Sequence, residues 1–234
     1  MTYIFEPAKT VGLPILQHEA LFPVRRVYCV GRNYAEHAKE MGSDPEREPP
    51  FFFCKHNDEQ SIVPISKGQT VHIPYPSQTQ RYDYEVELVV ALASGGKNIA
   101  VADAMRCVFG YAVGLDMTRR DLQSLMKQQG RPWEIGKAFD FATPIGEICP
   151  IADAKDIENA TIRLTVNGKT AQQGNTNELI WNVAETISKL SDLFELRAGD
   201  LIFTGTPKGV GAVVSGDEMV GEIDGLASIQ VVVD

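Results

Sequence analysis

Apolar positions along this chain fall in short runs of four to eight residues, rich in valine, isoleucine and aromatic side chains. Val24 to Val30, Phe51 to Cys54, Phe109 to Asp116, Leu201 to Thr204, Met219 to Ile223 and Ser228 to Val233 each read as a strand, because β-branched and aromatic residues suit a half-buried pleated surface. Asn167-Gly168, between Thr161–Val166 and Lys169–Gln173, is a hairpin signal, and Asp224-Gly225 marks a second turn. Helical spacing is rarer. It predicts helices over Val101 to Val108, over Arg119 to Gln129 with a stop at Gly130, and over about Asn177 to Leu193, where Leu179, Ile180, Val183, Ile187 and Leu190 share one face. Asn33 is expected to cap a short helix through Glu40, and Met41 to Pro50, with Gly42 and three prolines, to form an exposed loop that acts as a lid. Residues 1–22 read as a short N-terminal arm or hairpin, leaving 23–234 as a single domain. Many short strands with a few interspersed helices predict an α+β fold rather than a regular parallel βαβ array.

One strand breaks the apolar rule. Tyr84-Glu85-Val86-Glu87-Leu88-Val89-Val90 carries two glutamates one residue apart, so both carboxylates point to one face while Val86, Leu88 and Val90 line the other. Such a pair is compatible with a solvated face. Val89 and Ala91 share the glutamates' face, however, which argues for burial, and buried neighbouring carboxylates need protons or a cation. A hard divalent ion such as Mg²⁺ or Ca²⁺ prefers carboxylate oxygens. Asp116, at the end of the apolar run from Phe109, is the third candidate ligand. Thr118 is a plausible N-cap for the helix that follows, with Asp121 in its first turn. On that helix Arg120 and Gln123 stand three residues apart on one side, a guanidinium and an amide suited to a carboxylate substrate.

Other candidates are scattered. His37 and Glu40 are i, i+3 neighbours, and imidazole beside a carboxylate is a natural general base, although the spacing equally fits a solvated pair. Lys137 lies among apolar neighbours, and Lys55 follows an aromatic strand. Gly205-Thr206 fits either a tight turn or a backbone amide and hydroxyl offered to an anion.

Composition narrows the field. A net charge of −9, from 22 basic and 31 acidic residues, argues against nucleic acid or an acidic membrane as partner. The four cysteines form no C-x-x-C and are expected to be reduced thiols of a cytoplasmic protein. No run approaches the ~20 apolar residues of a membrane-spanning helix, and no signal peptide is expected. The glycine-rich Gly205 to Gly211 lacks both Walker spacing and the capped helix of a dinucleotide site.

Taken in order, Cys29-Val-Gly31-Arg32-Asn33-Tyr34-x-x-His37-x-x-Glu40, Glu85-x-Glu87, Asp116-Met-Thr-Arg-Arg120-Asp-x-Gln123, Pro132-Trp133-x-x-x-Lys137-x-Phe139 and Gly199-Asp200 to Gly211 resemble the fumarylacetoacetate hydrolase family, specifically its acylpyruvate and fumarylpyruvate hydrolase branch. The likeness runs from about residue 24 to 233. It implies a mixed β-sandwich roll with a few short helices, and a homodimer. The implied metal ligands are Glu85, Glu87 and Asp116, holding Mg²⁺ with Mn²⁺ or Ca²⁺ as substitutes. His37 with Glu40 is implied to activate water and Lys137 to contact the reacting oxygen, while Arg120, Gln123, Lys55 and Thr206 are implied on the substrate side. The activity implied is hydrolysis of a carbon–carbon bond in a 2,4-dioxo acid, fumarylpyruvate above all, in aromatic-acid breakdown through gentisate. Oxaloacetate decarboxylation, keto–enol tautomerisation and a non-catalytic metal-binding protein are the alternatives.

Overall fold

Two sheets lie face to face, and the apolar residues between them form the main core. The structure is a computed structural model that describes residues 2–40 and 48–234, with the side chains of residues 38–40 left aside; most of the Met41 to Pro50 loop therefore lies outside the described residues. The larger sheet runs in the order Phe51–Lys55, Arg26–Gly31, Asp200–Phe203, Val86–Leu92, Val108–Leu115, Thr143–Ile145 and Ile62–Pro64, with Cys149–Pro150 added beside Val108–Leu115. The smaller runs Lys169–Asn175, Thr161–Val166, Glu218–Ile223, Ile229–Val233 and Thr70–Ile73. Val86, Leu88 and Val90 from the first meet Ile162, Leu164, Met219 and Val231 from the second. Val86–Leu92 is buried along its whole length, which explains why it reads as a continuous apolar run once the glutamates are set aside.

The opposite face of the large sheet is also covered. Residues Gly12–Ile15 and His18–Pro23 form a hairpin whose Leu13 and Phe22 pack with Val27, Cys29, Val89, Ala91, Ala112 and Phe203. The first residues of the chain thus contribute to a second apolar cluster, and the glutamates' face of the strand is buried beside it.

Among the described residues five short α-helices, α1 (Ala35–Glu40), α2 (Val101–Ala104), α3 (Arg120–Gln128), α4 (Glu134–Lys137) and α5 (Val183–Leu193), sit around the sheets. Among the described residues none is long and apolar enough to cross a membrane. The helix expected from Asn177 begins instead at Val183, because Asn182 and Glu185 form a reciprocal capping box there and Thr176–Glu178 is only a 3₁₀ turn. Nor does Thr118 cap α3. It belongs to a two-residue strand paired with Tyr82–Tyr84, and Asp121 accepts from Gln80 N and Thr79 Oγ1. The expected hairpin at Asn167-Gly168 forms. The four cysteines are free, with Cys29, Cys107 and Cys149 buried and Cys54 exposed.

Asn33 has a different task from the helix cap that its position suggested. Its amide Nδ2 donates to Trp181 O (2.9 Å) and Thr204 O (2.8 Å), and its Oδ1 accepts from Trp181 N (2.8 Å). This buried amide ties the start of α1 to the end of strand Asp200–Phe203 and to the segment before α5. Asn33→Ala leaves these backbone groups without partners, and a cost of about 1–3 kcal/mol follows. Urea unfolding should show a lower midpoint with an unchanged m-value; an unchanged midpoint would mean that water replaces the amide at no cost.

Candidate metal and substrate site

Glu87 projects from the middle strand of the large sheet, opposite Gly114 of Val108–Leu115. Glu85 stands at the break between the strands Tyr82–Tyr84 and Val86–Leu92, so the continuous strand that the sequence suggested is interrupted at this residue. Its carbonyl accepts the Asp116 N–H at 2.9 Å, a backbone bond that brings Asp116, just past the neighbouring strand, beside the two glutamates. One carboxylate oxygen from each of Glu85, Glu87 and Asp116 lies within 4.8 Å of the others. All three residues are buried.

Cations surround this cluster unevenly. Lys137 Nζ donates to Glu85 Oε2 (2.9 Å), Asp116 Oδ2 (2.7 Å) and Thr118 Oγ1 (2.7 Å). Arg120 reaches Glu85 Oε1 through Nη2, Asp83 Oδ2 through Nε at 2.9 Å, and Gln123 Oε1 through Nη1 at 2.6 Å. Asp83 is itself held by Arg81 at 3.1 Å. Gly136 lets α4 approach α3 closely, since a Cβ there would lie 2.8 Å from Gln123 N, and this approach carries Lys137 to the cluster. Lys55 stands behind the carboxylates rather than in the cavity. Its ammonium donates to Met117 O (3.2 Å), Lys137 O (2.6 Å) and Ala142 O (3.0 Å), 2.8 Å from Asp116 Oδ1. With its three protons used by carbonyls, Lys55 lends Asp116 Oδ1 its charge but no hydrogen, and that buried oxygen has no hydrogen-bond donor.

The protonation of the two glutamates follows. Burial alone would raise the Glu85 carboxyl, but the Lys137 ammonium and Arg120 guanidinium, with His37 adding, overcome it and hold Glu85 well below the usual carboxylate range. Among the described residues no cation pairs with Glu87, whose Oε2 accepts only the Gly205 N–H at 2.7 Å. Burial first, then the charges of Asp116 and Glu85, push Glu87 well above its ordinary value. A donorless Asp116 oxygen, an under-compensated Glu87 and three converging carboxylates are the donor set of a hard divalent cation, and the residues fit such an ion.

A cavity of about 460 Å³ opens onto these carboxylates, lined also by His37, Arg120, Gln123, Lys137 and Thr206. His37, on α1, is buried at its edge; the side chain of Glu40, one turn on, lies outside the described residues. Thr206 lines the cavity, but its hydroxyl donates to Val86 O (2.7 Å) and accepts from Gln172 Nε2 (2.8 Å). The Gly205 amide, at φ +103, is turned onto Glu87 rather than outward. Sequence reading passed over Gln172, whose Oε1 accepts the Val86 N–H at 2.9 Å and whose Nε2 also reaches Pro207 O at 2.8 Å. It also passed over Asp83, Arg32, Lys127 and the role of Asn33. The polar hairpin around Gln172 gives no sign that this one amide is fully buried.

A buried carboxylate triad on a β-sandwich, with a histidine, an arginine and a lysine around one cavity, defines a class of enzyme with a candidate divalent-metal site. The chain belongs to the fumarylacetoacetate hydrolase family: the model of the fumarylacetoacetate hydrolase C-terminal domain matches residues 26–234. It is similar to the fumarylpyruvate hydrolase of a Ralstonia species, 44% identical over 190 residues, covering 81% of this chain and 95% of that one. An oxaloacetate tautomerase of Escherichia coli is 39% identical over 205 residues, covering 87% and 90%. Among solved structures, fumarylpyruvate hydrolase from Pseudomonas aeruginosa in complex with Mn²⁺ and pyruvate superposes with a TM-score of 0.96 at 56% identity, covering 99% of both chains.

Replacing Glu87 tests the charge imbalance. A carboxyl raised by folding opposes the metal-free fold increasingly as pH climbs from the ordinary glutamate value near ~4.3 toward the folded one, whereas Glu85, held low, is ionised throughout that window. Glu87→Gln should therefore raise the melting temperature of metal-free protein by at least ~2 °C, the shift expected for about 1 kcal/mol in a chain of this size, and more at pH 8 than at pH 5. It should also abolish stabilisation by added Mn²⁺ or Mg²⁺. A variant that melts below the wild type at pH 8 without metal would contradict this account.

Proposed function

We propose that the chain cleaves the C3–C4 bond of a 2,4-dioxo acid by hydrolysis, with fumarylpyruvate as substrate and fumarate and pyruvate as products. The observation that carries the reading is the convergence of the triad, His37, Arg120 and Lys137 on one cavity. Glu85, Glu87 and Asp116 would hold a divalent cation, Mg²⁺ in the cell and Mn²⁺ equally well in vitro. When bound, the cation supplies Lewis-acid stabilisation of the negative charge that develops on the 2-oxo oxygen.

The remaining chemistry belongs to the protein. Arg120 and Gln123 orient the 1-carboxylate from α3. His37, with Glu40 as the partner one helical turn away, takes a proton from water, and the oxygen attacks C4. The C3–C4 bond then breaks, its electron pair passing to the pyruvate fragment as an enolate, which is protonated at C3 to give pyruvate. Lys137, already hydrogen-bonded to Glu85 and Asp116, contributes a fixed positive charge where the enolate forms. Lys55 and Thr206 act as supports, one behind Asp116 and one beneath Val86. A homodimer in the cytoplasm is the proposed working state, and the exposed Ile4, Phe5 and Leu21 supply apolar surface for it. The second reading, tautomerisation or decarboxylation of oxaloacetate, is favoured by the likeness to the Escherichia coli tautomerase. Both pass through an enolate but need no activated water.

A chelator should abolish turnover of fumarylpyruvate, and Mg²⁺ or Mn²⁺ should restore it; full turnover by metal-free protein or by Asp116→Ala would exclude the triad. His37→Ala should reduce hydrolysis by roughly 10²–10⁴-fold, the usual effect of losing a general base, with metal affinity retained. Steady-state assays of that variant on fumarylpyruvate and oxaloacetate separate the two readings, since only hydrolysis depends on the water-activating histidine.

A further inference from the structure

The cavity extends beyond what three carboxylates and a short 2-oxo acid need. Helix α3 lines it with Arg120, Gln123, Ser124, Lys127 and Gln128, positions that repeat as i, i+3, i+4, i+7 and i+8 and so form one polar stripe. At 1.5 Å of rise per residue, Lys127 stands about 10 Å further along the helix than Arg120. The terminal carboxylates of an extended seven-carbon diacid are about 7–8 Å apart by ordinary bond geometry. A substrate whose first carboxylate lies beside Arg120 and Gln123 therefore places its second within reach of the flexible Lys127 side chain.

Other residues of the cavity lining suit the same end. Arg32 follows the strand Arg26–Gly31 with φ at +56°, a left-handed backbone unusual for arginine and typical of residues held for function. Its guanidinium lies 5.4 Å from the centre of the Phe51 ring. Phe51 in turn meets Trp133 edge-on at 5.4 Å, and Phe53 lies 5.9 Å from the same indole. Arg32, Phe53 and Trp133 all line the cavity. Among the described residues no carboxylate pairs with Arg32 or Lys127, in a chain whose net charge is −9. The cavity that holds the acidic triad is thus lined also by two cations without carboxylate partners, Lys127 about two turns of helix beyond Arg120 and Arg32 beside aromatic faces that suit a planar conjugated alkene.

We infer that Arg32 and Lys127 form a second anion subsite, which recognises the carboxylate at the acyl end of the substrate and so selects dicarboxylic dioxo acids over acyl groups that end in a methyl. The inference rests on the function proposed above and names the substrate class of that same site.

A matched pair of uncleavable probes tests it apart from turnover. 2-Oxoheptanedioate and 2-oxoheptanoate have the same length and differ in the distal carboxylate. By titration calorimetry on the full chain loaded with Mn²⁺, the dioate should bind about 10–100-fold tighter, the range expected for hydrogen bonds to charged groups. Arg32→Gln and Lys127→Gln should each narrow that ratio several-fold, with Arg32→Lys retaining part of it. The ratio of kcat/KM for fumarylpyruvate over acetylpyruvate should fall in parallel, through KM. Equal binding of both probes by the wild type would overturn the subsite, as would variants that weaken both probes alike. A wild type that prefers the dioate yet hydrolyses neither dioxo acid would uphold the subsite and overturn the hydrolase reading instead.

Discussion

Three carboxylates buried within a few ångströms of one another are the constraint around which the rest of this protein is arranged. Burying them together is costly unless each is compensated, and the surrounding structure compensates them to different degrees. Glu85 has both Lys137 and Arg120, Asp116 has Lys137 and the nearby charge of Lys55, and Glu87 has a backbone amide. Truncating Glu85 or Asp116, which pair with buried cations, is of the kind that usually destabilises strongly, because the partners are left uncompensated. The uneven compensation has a functional meaning. Full neutralisation by lysines would leave a cation nothing to gain, whereas the deficit at Glu87 and the donorless oxygen of Asp116 leave binding free energy for a metal.

Rigidity around the cluster comes from polar ties rather than from apolar packing alone. Gln172 clamps the Val86 N–H and the Thr206 hydroxyl, Thr206 holds Val86 O, and Lys55 gathers the carbonyls of Met117, Lys137 and Ala142. These buried groups are all hydrogen-bonded, which is the condition under which polar networks specify a single arrangement instead of weakening a core. The floor of the site is accordingly built on the two central strands of a sheet covered on both faces. The proposed base lies elsewhere, on the six-residue helix α1, anchored through Asn33. On the proposed mechanism, chemistry that only requires an enolate uses the floor, and hydrolysis draws also on α1.

The acyl end shows the same division. Helix α3 begins at the triad with Arg120 and carries its polar stripe outward to Lys127, so one helix joins the reacting end of the cavity to the end proposed to set specificity. Arg120, beside the triad, and Lys127, in the proposed acyl subsite, stand about two helical turns apart on α3, so the two ends can be varied separately.

Much of this was legible in the sequence. The period-two alternation placed Glu85 and Glu87 on one face, the apolar run from Phe109 delivered Asp116 beside them, and the i, i+3 spacing joined Arg120 to Gln123, because each of these depends on backbone geometry over a few residues. The hairpin at Asn167-Gly168 was readable for the same local reason. What only the tertiary structure decided were the partners of polar side chains distant in sequence. Asn33 and Thr118 carry the local marks of helix caps, yet one bonds to Trp181 and Thr204 and the other accepts from Lys137. Lys55 and Thr206, expected at the substrate, are turned to backbone carbonyls. Gln172 looks like any solvent-facing amide until Val86, Thr206 and Pro207 are brought against it. A buried hydrogen-bonding group takes whichever partner the packing brings within 3 Å, and sequence spacing carries no record of that distance.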